Sequence, residues 1–152
     1  MGHPTDIFLA PPSSTFICAI CHDVLKDASS FRECGHTLCE GCIHECLEVS
    51  ASCPTCRKPV LTGSIPNYAL RDVIGALDVR CPEWKDTNEG DGNKRKRDEA
   101  SGCDWEGFVK DLHQHLDVCG FKIIECGEEG CKHTCQRKNM EDHRSSQRGI
   151  LK

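Results

Sequence analysis

The alternation of apolar and polar residues predicts two short helices in this chain. Four apolar residues recur at helical spacing: Leu70, Val73, Ile74 and Leu77. Residues at i, i+3, i+4 and i+7 share one face of a helix, and Asn67, directly after Pro66, is placed to cap its N-terminus. A second helix is predicted within 107–118. One face of that helix would carry Phe108, Leu112, His115 and Leu116.

Several segments show no such periodicity. Residues 1–15 are rich in Pro and Ser, and we expect them to be poorly ordered. Residues 61–80 form a connector followed by the first helix. Residues 83–102 are rich in charge, Gly and Asn and nearly free of aliphatic side chains, which predicts a disordered insertion. A short polar tail occupies 148–152.

Cysteine and histidine dominate the chemistry of the chain. It has 14 Cys and 8 His in 152 residues, and aromatic residues make up 5%. Small domains rarely hold together by burial alone, so these side chains are the candidate staples. Disulfides belong to oxidising compartments. The N-terminus has no basic segment followed by an apolar run, so the sequence predicts no signal peptide. Interleaved His and Cys therefore favour zinc and an intracellular protein.

Eight candidate zinc ligands lie within residues 16–60. They form four close pairs: Cys18 with Cys21, Cys34 with His36, Cys39 with Cys42, and Cys53 with Cys56. Zinc takes four such ligands in a tetrahedron, so eight ligands predict two closed sites. A closed site leaves no position for a reacting water, and we expect structural zinc. The spacing alone allows either sequential or interleaved ligation.

This ligand order, with Cys34-Gly-His36 and Cys53-Pro-x-Cys56, resembles the RING family over about residues 16–77. The resemblance implies a short β-hairpin and a central helix, cross-braced by two zinc ions. The implied sets are Cys18, Cys21, Cys39 and Cys42 for one ion, and Cys34, His36, Cys53 and Cys56 for the other. The fold class is therefore expected to be a small zinc-stapled α+β structure.

The resemblance also implies a function. Many RING domains bind a ubiquitin-conjugating enzyme charged with ubiquitin and hold the thioester ready for attack by a substrate lysine, which is catalysis by positioning. Ile20, Pro54 and Leu47 match apolar contacts to the conjugating enzyme. Arg57 matches the linchpin cation that hydrogen-bonds both proteins without a covalent step. Taken singly, each residue could equally be an ordinary loop or surface residue.

One departure from the RING pattern keeps a second function open. Many RING domains have a bulky apolar residue in the central helix four positions after the sixth ligand, where this chain has Cys46. A small side chain there makes the contact groove shallower. The alternative to a ubiquitin ligase is therefore a non-catalytic zinc-binding adaptor. Cys46 itself is interpreted as a small buried side chain.

A second group of ligands follows the first helix. Cys81, Cys103, His115 and Cys119, with Trp105 and Gly107, resemble a TRAF-type zinc finger. That finger would span residues 81–120 and contain the insertion 83–102, which loop-closure entropy tolerates. His113 is a competing imidazole, but it lies on the opposite helix face. Cys81 is the least certain of the four because the insertion separates it from Cys103.

The start of another such finger follows within residues 121–147. Cys126, Cys131 and His143 match its first three ligands, and the fourth position is Gln147, a poor zinc ligand. Either Cys135 or His133 takes the fourth place, or the finger is incomplete. The sequence thus predicts two zinc ions in the RING, one in the first finger and a further ion if the second finger is complete.

Charge limits the partners of the chain. The net charge is -5, and acidic residues outnumber basic ones between 103 and 147, which argues against nucleic acid. No apolar run of roughly 18 residues exists, so no membrane partner is expected.

The expected partners are a conjugating enzyme, ubiquitin and an unknown protein substrate, while homodimerisation stays open. We expect a cytoplasmic protein, and Lys94–Arg97 offers either a nuclear localisation signal or a solvated linker.

Overall fold

A computed structural model describes residues 1–84, 102–128 and 131–148, with the side chains of 146–148 outside that description. These residues divide into two compact units. The first comprises residues 1–79 and 107–110, and the second comprises 80–106 and 111–152. Most of the predicted insertion, the basic segment Lys94–Arg97 and all but the first residue of the predicted tail lie outside the described residues. No helix in the described ranges is long and apolar enough to cross a bilayer.

A three-stranded sheet organises the first unit. Strands β1 (Ala28–Phe31), β2 (Thr37–Cys39) and β3 (Ser64–Pro66) are ordered β2-β1-β3, and both pairings are antiparallel. Helix α1 (Glu40–Val49) follows β2 directly. The hairpin and central helix implied by the RING resemblance are therefore present. Strand β3 was not predicted, since it lies where the sequence indicated a connector.

Helix α1 forms because its inward residues recur at helical spacing. Cys42 and Ile43 are buried, and Cys46 and Leu47, one turn further on, are half-buried. This places Cys46 on the inner face of the helix, with its Sγ 3.9 Å from the carbonyl oxygen of Ser52. The sequence analysis interpreted Cys46 as a small buried side chain; it faces inward but is half-buried.

Helix α2 (Tyr68–Gly75) is the first helix predicted from the apolar pattern. The Asn67 side chain caps it as expected, because Asn67 Oδ1 accepts a hydrogen bond from the amide of Leu70 at 3.1 Å. Ile74 is buried, whereas Val73 is half exposed. The helix ends before Leu77, so the apolar stripe extends one turn beyond the helix itself.

The N-terminal segment corrects the expectation of disorder for residues 1–15. Ile7 and Phe8 are buried, and His3 and Phe8 form β-bridges with Val24 and Val79. The amide of His3 donates to the carbonyl of Val24 at 2.8 Å. Burial of two apolar side chains against residues distant in sequence orders this Pro/Ser-rich segment.

Strands β4 (Asp78–Arg80) and β5 (Glu106–Phe108) form a two-stranded sheet, and helix α3 (Val109–Val118) follows β5. The boundary between the two units runs through these elements. Phe108 corrects the prediction for the second helix, because it ends β5 and is 43% exposed. Val109, at the start of α3, is the buried residue.

The second unit contains two successive zinc-finger segments. Its core joins three buried cysteines, Cys81, Cys103 and Cys119, with the partly buried side chains of Trp105, Leu116 and Phe121. Strands β6 (Ile123–Glu125) and β7 (Thr134–Gln136) form an antiparallel pair, and helix α4 (Met140–Arg148) follows. Within this unit Arg137 donates hydrogen bonds from one guanidinium nitrogen to the carbonyls of Leu116 and Cys119, at 3.2 and 2.8 Å.

Candidate functional site

Among the residues that the structure describes, four clusters of Cys and His side chains are candidate metal centres. In each cluster the potential ligand atoms lie within 4.8 Å of one another. The four sets are Cys18, Cys21, Cys39 and Cys42; Cys34, His36, Cys53 and Cys56; Cys81, Cys103, His115 and Cys119; and Cys126, Cys131 and His143. The first two sets interleave along the chain, as the RING resemblance implied.

Distances between the sulfur and nitrogen atoms fit zinc. Tetrahedral zinc has bonds of about 2.3 Å to sulfur and about 2.0 Å to nitrogen. Two sulfur ligands of one ion therefore lie about 3.8 Å apart, and a sulfur and a nitrogen ligand lie about 3.5 Å apart. The Sγ atoms of Cys21 and Cys39 are 3.8 Å apart, as are those of Cys81 and Cys119. Cys103 Sγ lies 3.5 Å from His115 Nε2. The donor sets and their spacing are therefore compatible with zinc binding in all four clusters.

The two RING loops that begin at Cys18 and Cys53 have the same backbone turn. The amide of His22 donates to the carbonyl of Cys18 at 3.0 Å, and the amide of Arg57 donates to that of Cys53 at 2.7 Å. His22 and Arg57 both adopt left-handed backbone angles, with φ of 61° and 60°. Each loop therefore presents its two cysteines from one tight turn.

Backbone amides make some of these sulfurs good anionic ligands. Burial opposes ionisation of Cys18, but hydrogen bonds from the amides of Cys21, Cys39 and Ile20 outweigh it and lower its pKa to about 7. Burial of Cys53 is likewise outweighed, chiefly by the amide of Cys56, and its pKa is lowered. These sulfurs are poised to bind a cation as thiolates.

Other thiols in the clusters resist ionisation unless a cation is present. Burial, followed by hydrogen bonds and repulsion from neighbouring thiolates, raises the pKa of Cys42 and of Cys81 to about 12 each. His36 Nδ1 is buried and has no hydrogen-bond partner among the described residues. A zinc ion supplies the positive charge that the thiolates need and a partner for that nitrogen.

The first finger has the ligand set predicted from the sequence. Cys81 is 1% exposed and joins Cys103 and Cys119 despite the long insertion. His115 faces the cluster, whereas the His113 side chain is 90% exposed and lies 3.4 Å from Asp117. The indole of Trp105 stacks on the His115 ring, with centroids 4.3 Å apart and an interplanar angle of 8°.

The second finger brings three predicted ligands together. Cys131 Sγ lies 3.4 Å from His143 Nε2, and Cys126 completes the cluster. Neither proposed substitute for the fourth ligand belongs to it. Cys135 lies in β7, and the His133 ring stacks on the His143 ring at 4.1 Å.

The residues matched to a conjugating-enzyme surface lie on or near these zinc loops. Ile20 lies between Cys18 and Cys21 and is 37% exposed, and Pro54 lies exposed between Cys53 and Cys56. Arg57 is exposed directly after Cys56, and Leu47 is half-buried on α1. Three of the four side chains are thus open to solvent in the described structure.

Sequence reasoning missed two supporting features of the fingers. It assigned no role to the ring stacked on each histidine ligand, and it did not foresee that Arg137 caps the end of α3. A usable signal was present for the first feature. Trp105 follows Cys103 by two residues, and His133 follows Cys131 at the same spacing.

Comparison with known proteins agrees with the metal clusters. Residues 17–56 match the family described as zinc finger, C3HC4 type (RING finger). RING finger protein 151 from Mus musculus is 31% identical over 144 residues, which are 94% of this chain and 54% of that protein. The chain therefore spans about half the length of this relative.

Two further relatives cover nearly all of the chain. E3 ubiquitin-protein ligase PDZRN3 from Mus musculus is 29% identical over 145 residues, which are 94% of this chain and 12% of that protein. TNF receptor-associated factor 5 from Mus musculus is 25% identical over 143 residues, or 91% of this chain and 22% of that protein. Residues 17–56 therefore match a C3HC4-type RING finger, and two further Cys/His clusters follow it in a region that is similar to TNF receptor-associated factor 5.

Proposed function

We propose that this chain is a RING-type E3 ubiquitin ligase that binds a ubiquitin-charged conjugating enzyme and promotes transfer of ubiquitin to a substrate lysine. The observation that carries the proposal is the pair of RING loops with an exposed apolar residue in each, Ile20 and Pro54. The similarity to PDZRN3, which is named an E3 ubiquitin-protein ligase, supports it.

The zinc ions have a structural role in this proposal. The eight RING ligands fill two tetrahedral sites, so no coordination position is left for a reacting group. Their contribution is to fix the two loops, together with the backbone hydrogen bonds that the amides of His22 and Arg57 donate. Ile20, Pro54 and Leu47 then form a surface that is already ordered before the conjugating enzyme binds, which lowers the entropic cost of association.

Arg57 has the position and the chemistry of a linchpin. It follows Cys56 directly, its side chain is exposed, and no ion-pair partner is present among the described residues. A guanidinium presents several donors in a rigid plane and can bond two acceptors on different proteins. Its role is to hold ubiquitin in place relative to the conjugating enzyme, so that a lysine can attack the thioester.

The zinc fingers of the second unit are proposed to recruit the substrate or a partner protein. Their described surface is rich in acidic side chains, among them Asp104, Glu106, Asp111 and Asp117. Such a surface repels nucleic acid and favours a partner with basic groups.

The test is discharge of ubiquitin from a charged conjugating enzyme to free lysine, measured across a panel of conjugating enzymes. Wild-type protein is expected to accelerate discharge, and Ile20→Ala to slow it on the order of tenfold, the loss of one interface anchor. Ile65→Ala is the matched control, because Ile65 is 39% exposed and belongs to β3, not to a zinc loop.

Two outcomes would count against the proposal. Equal losses for Ile20→Ala and Ile65→Ala would show that neither effect reports a specific contact. A zinc-loaded wild type that accelerates nothing across the panel would favour the adaptor function, for which the small Cys46 on the inner face of α1 is the supporting observation.

A further inference from the structure

The two fingers of the second unit are copies of one structural repeat. In each finger a three-residue strand leads into the first cysteine: β4 before Cys81 and β6 before Cys126. In each finger a second strand begins three residues after another cysteine: β5 after Cys103 and β7 after Cys131. That strand leads towards the helix that carries the histidine ligand, α3 or α4. The repeat provides a register in which positions of the two fingers can be compared.

Backbone hydrogen bonds confirm this register. The amide of Cys81 donates to the carbonyl of Trp105 at 2.9 Å, and the amide of Cys126 donates to that of His133 at 2.8 Å. The amide of Cys103 donates to Glu83 at 3.0 Å, and the amide of Cys131 donates to Glu128 at 3.1 Å. His133 is therefore the counterpart of Trp105.

The stacked geometry excludes His133 as a ligand in this arrangement. An imidazole binds metal through a lone pair in the plane of its ring. The rings of His133 and His143 are stacked 4.1 Å apart with an interplanar angle of 18°, so their in-plane lone pairs lie in nearly parallel planes and do not meet at one ion. His133 instead supports the face of His143, as Trp105 supports His115.

Cys135 is also accounted for by the repeat. It is the counterpart of Gly107, the middle residue of β5, and it lies in the middle of β7, paired with Ile124. Its sulfur does not belong to the cluster of Cys126, Cys131 and His143. The counterpart of the fourth ligand Cys119 is position 147, which is four residues after His143 and holds Gln.

We propose that the second finger holds zinc through three side chains, Cys126, Cys131 and His143, and leaves the fourth coordination position open to an exogenous monodentate ligand. The donor sets fit zinc, since Cys131 Sγ and His143 Nε2 are 3.4 Å apart. A three-ligand zinc site takes water at its fourth position and exchanges it for a stronger donor. The class of ligand is a small thiol, because the counterpart of the open position in the first finger is filled by the thiol of Cys119.

Burial of the ligands agrees with access from solvent. In the first finger all three cysteines are buried, with exposures of 1%, 6% and 3%. In the second finger Cys126 is buried, but Cys131 and His143 are half-buried. His115 of the first finger is half-buried too, so the two fingers differ at Cys131, and the second cluster is more open to solvent there.

The experiment is cadmium NMR of the full-length protein with cadmium in place of zinc, titrated with 2-mercaptoethanol. Each site gives its own resonance, and its shift rises with the number of sulfur ligands. The expected result is four resonances, of which one has two sulfur ligands and moves on addition of thiol while the other three stay fixed. Gln147→Cys is expected to place that resonance near its thiol-bound position without added thiol.

Two variants, together with the number of resonances and their response to thiol, decide the proposal. Gln147→Ala and Cys135→Ser should each leave the thiol-responsive resonance in place, because neither side chain is a ligand. Loss or displacement of that resonance in either variant overturns the proposal, since the altered residue then fills the fourth position. Three resonances only, or four that ignore the thiol, overturn it as well.

Discussion

At the scale of single residues, Arg57 is central to the proposed function. Its left-handed backbone angle arises from the turn that brings Cys53 and Cys56 together, and the same turn directs the residue after the last ligand into solvent. Non-glycine residues adopt such angles at a cost in conformational free energy, and backbone strained in this way is often found at functional positions. Alanine keeps a comparable backbone cost, so Arg57→Ala removes the guanidinium without relaxing the turn.

Arg57→Ala is expected to separate binding from catalysis. The rate of lysine discharge should fall on the order of tenfold, while affinity for the uncharged conjugating enzyme should fall less, because only the charged enzyme also loses the contact with ubiquitin. Lys58→Ala removes a neighbouring exposed cation and should leave both quantities near wild type. Equal effects of the two variants would mean that general charge, not position, matters.

Sequence patterns foresaw several single residues because their evidence is local. The Asn67 cap depends on residues three positions apart, and the choice of His115 over His113 depends on helix periodicity. The ordering of Ile7 and Phe8 was missed because it depends on Val79, far along the chain. Local patterns carry no information about such a partner.

At the scale of elements, Arg71 fastens α2 to the sheet and to α1 within the first unit. Its guanidinium donates to the carbonyls of Ala28 and Asp27 at 2.9 and 3.0 Å. It also donates to Ser29 Oγ and to Glu40 Oε2, each at 3.1 Å. Nη2 faces three of these acceptors and Nε faces the fourth, so the contacts come from two nitrogens of the planar group, whereas lysine would offer only one.

Arg71→Lys should therefore lower the free energy of unfolding by roughly 1–3 kcal/mol, since partly buried acceptors lose their donors. The measurement is urea unfolding at a fixed excess of zinc. Arg32→Lys is the control, because Arg32 is exposed, and its effect should stay within about 0.5 kcal/mol. A loss for Arg71→Lys as small as that of the control would show that the observed hydrogen bonds contribute little.

Arg137 plays a comparable part in the second unit, where it caps the carbonyl end of α3 next to the ligand Cys119. Arg137→Ala is expected to speed hydrogen exchange of the amides of Cys119 and Lys122, whose bonds lie at that helix end. Arg144→Ala, on the exposed face of α4, should leave them unchanged. Unchanged exchange in both variants would remove Arg137 from the support of the first finger.

The sequence predicted helices better than strands for a physical reason. Helix α2 and most of α3 extend over two or more turns, so their apolar periodicity is visible. Six of the seven strands in the described part of the chain have three residues, and an alternation of period two cannot be recognised in so short a segment. Phe108 was assigned to the helix because it fits the helical stripe, although it ends β5.

At the scale of the whole molecule, each metal cluster draws its ligands from one unit. The two RING clusters use residues between Cys18 and Cys56, and the finger clusters use residues between Cys81 and His143. In domains of this size, the free energy of zinc binding contributes directly to the free energy of folding. Loss of a metal should consequently affect the unit that holds it.

Cys81→Ser tests this division and the role of the ligand that the sequence left least certain. Serine is a poor zinc ligand, so the variant should bind at least one zinc fewer, and the amide signals of residues 103–119 should lose their dispersion in NMR spectra. Signals of residues 18–56 should keep their positions. Collapse of both sets would show that the RING depends on the first finger for folding.

The central claim is that the RING loops bind a conjugating enzyme, and chemical-shift mapping tests it most directly. Labelled full-length protein is titrated with each member of a conjugating-enzyme panel in the presence of zinc. The largest shifts are expected at Ile20, at the residues flanking Pro54 and at Leu47, and the shifts of β3 should be small. Shifts confined to residues 103–148, or none with any member of the panel, would contradict the claim and favour a zinc-binding adaptor.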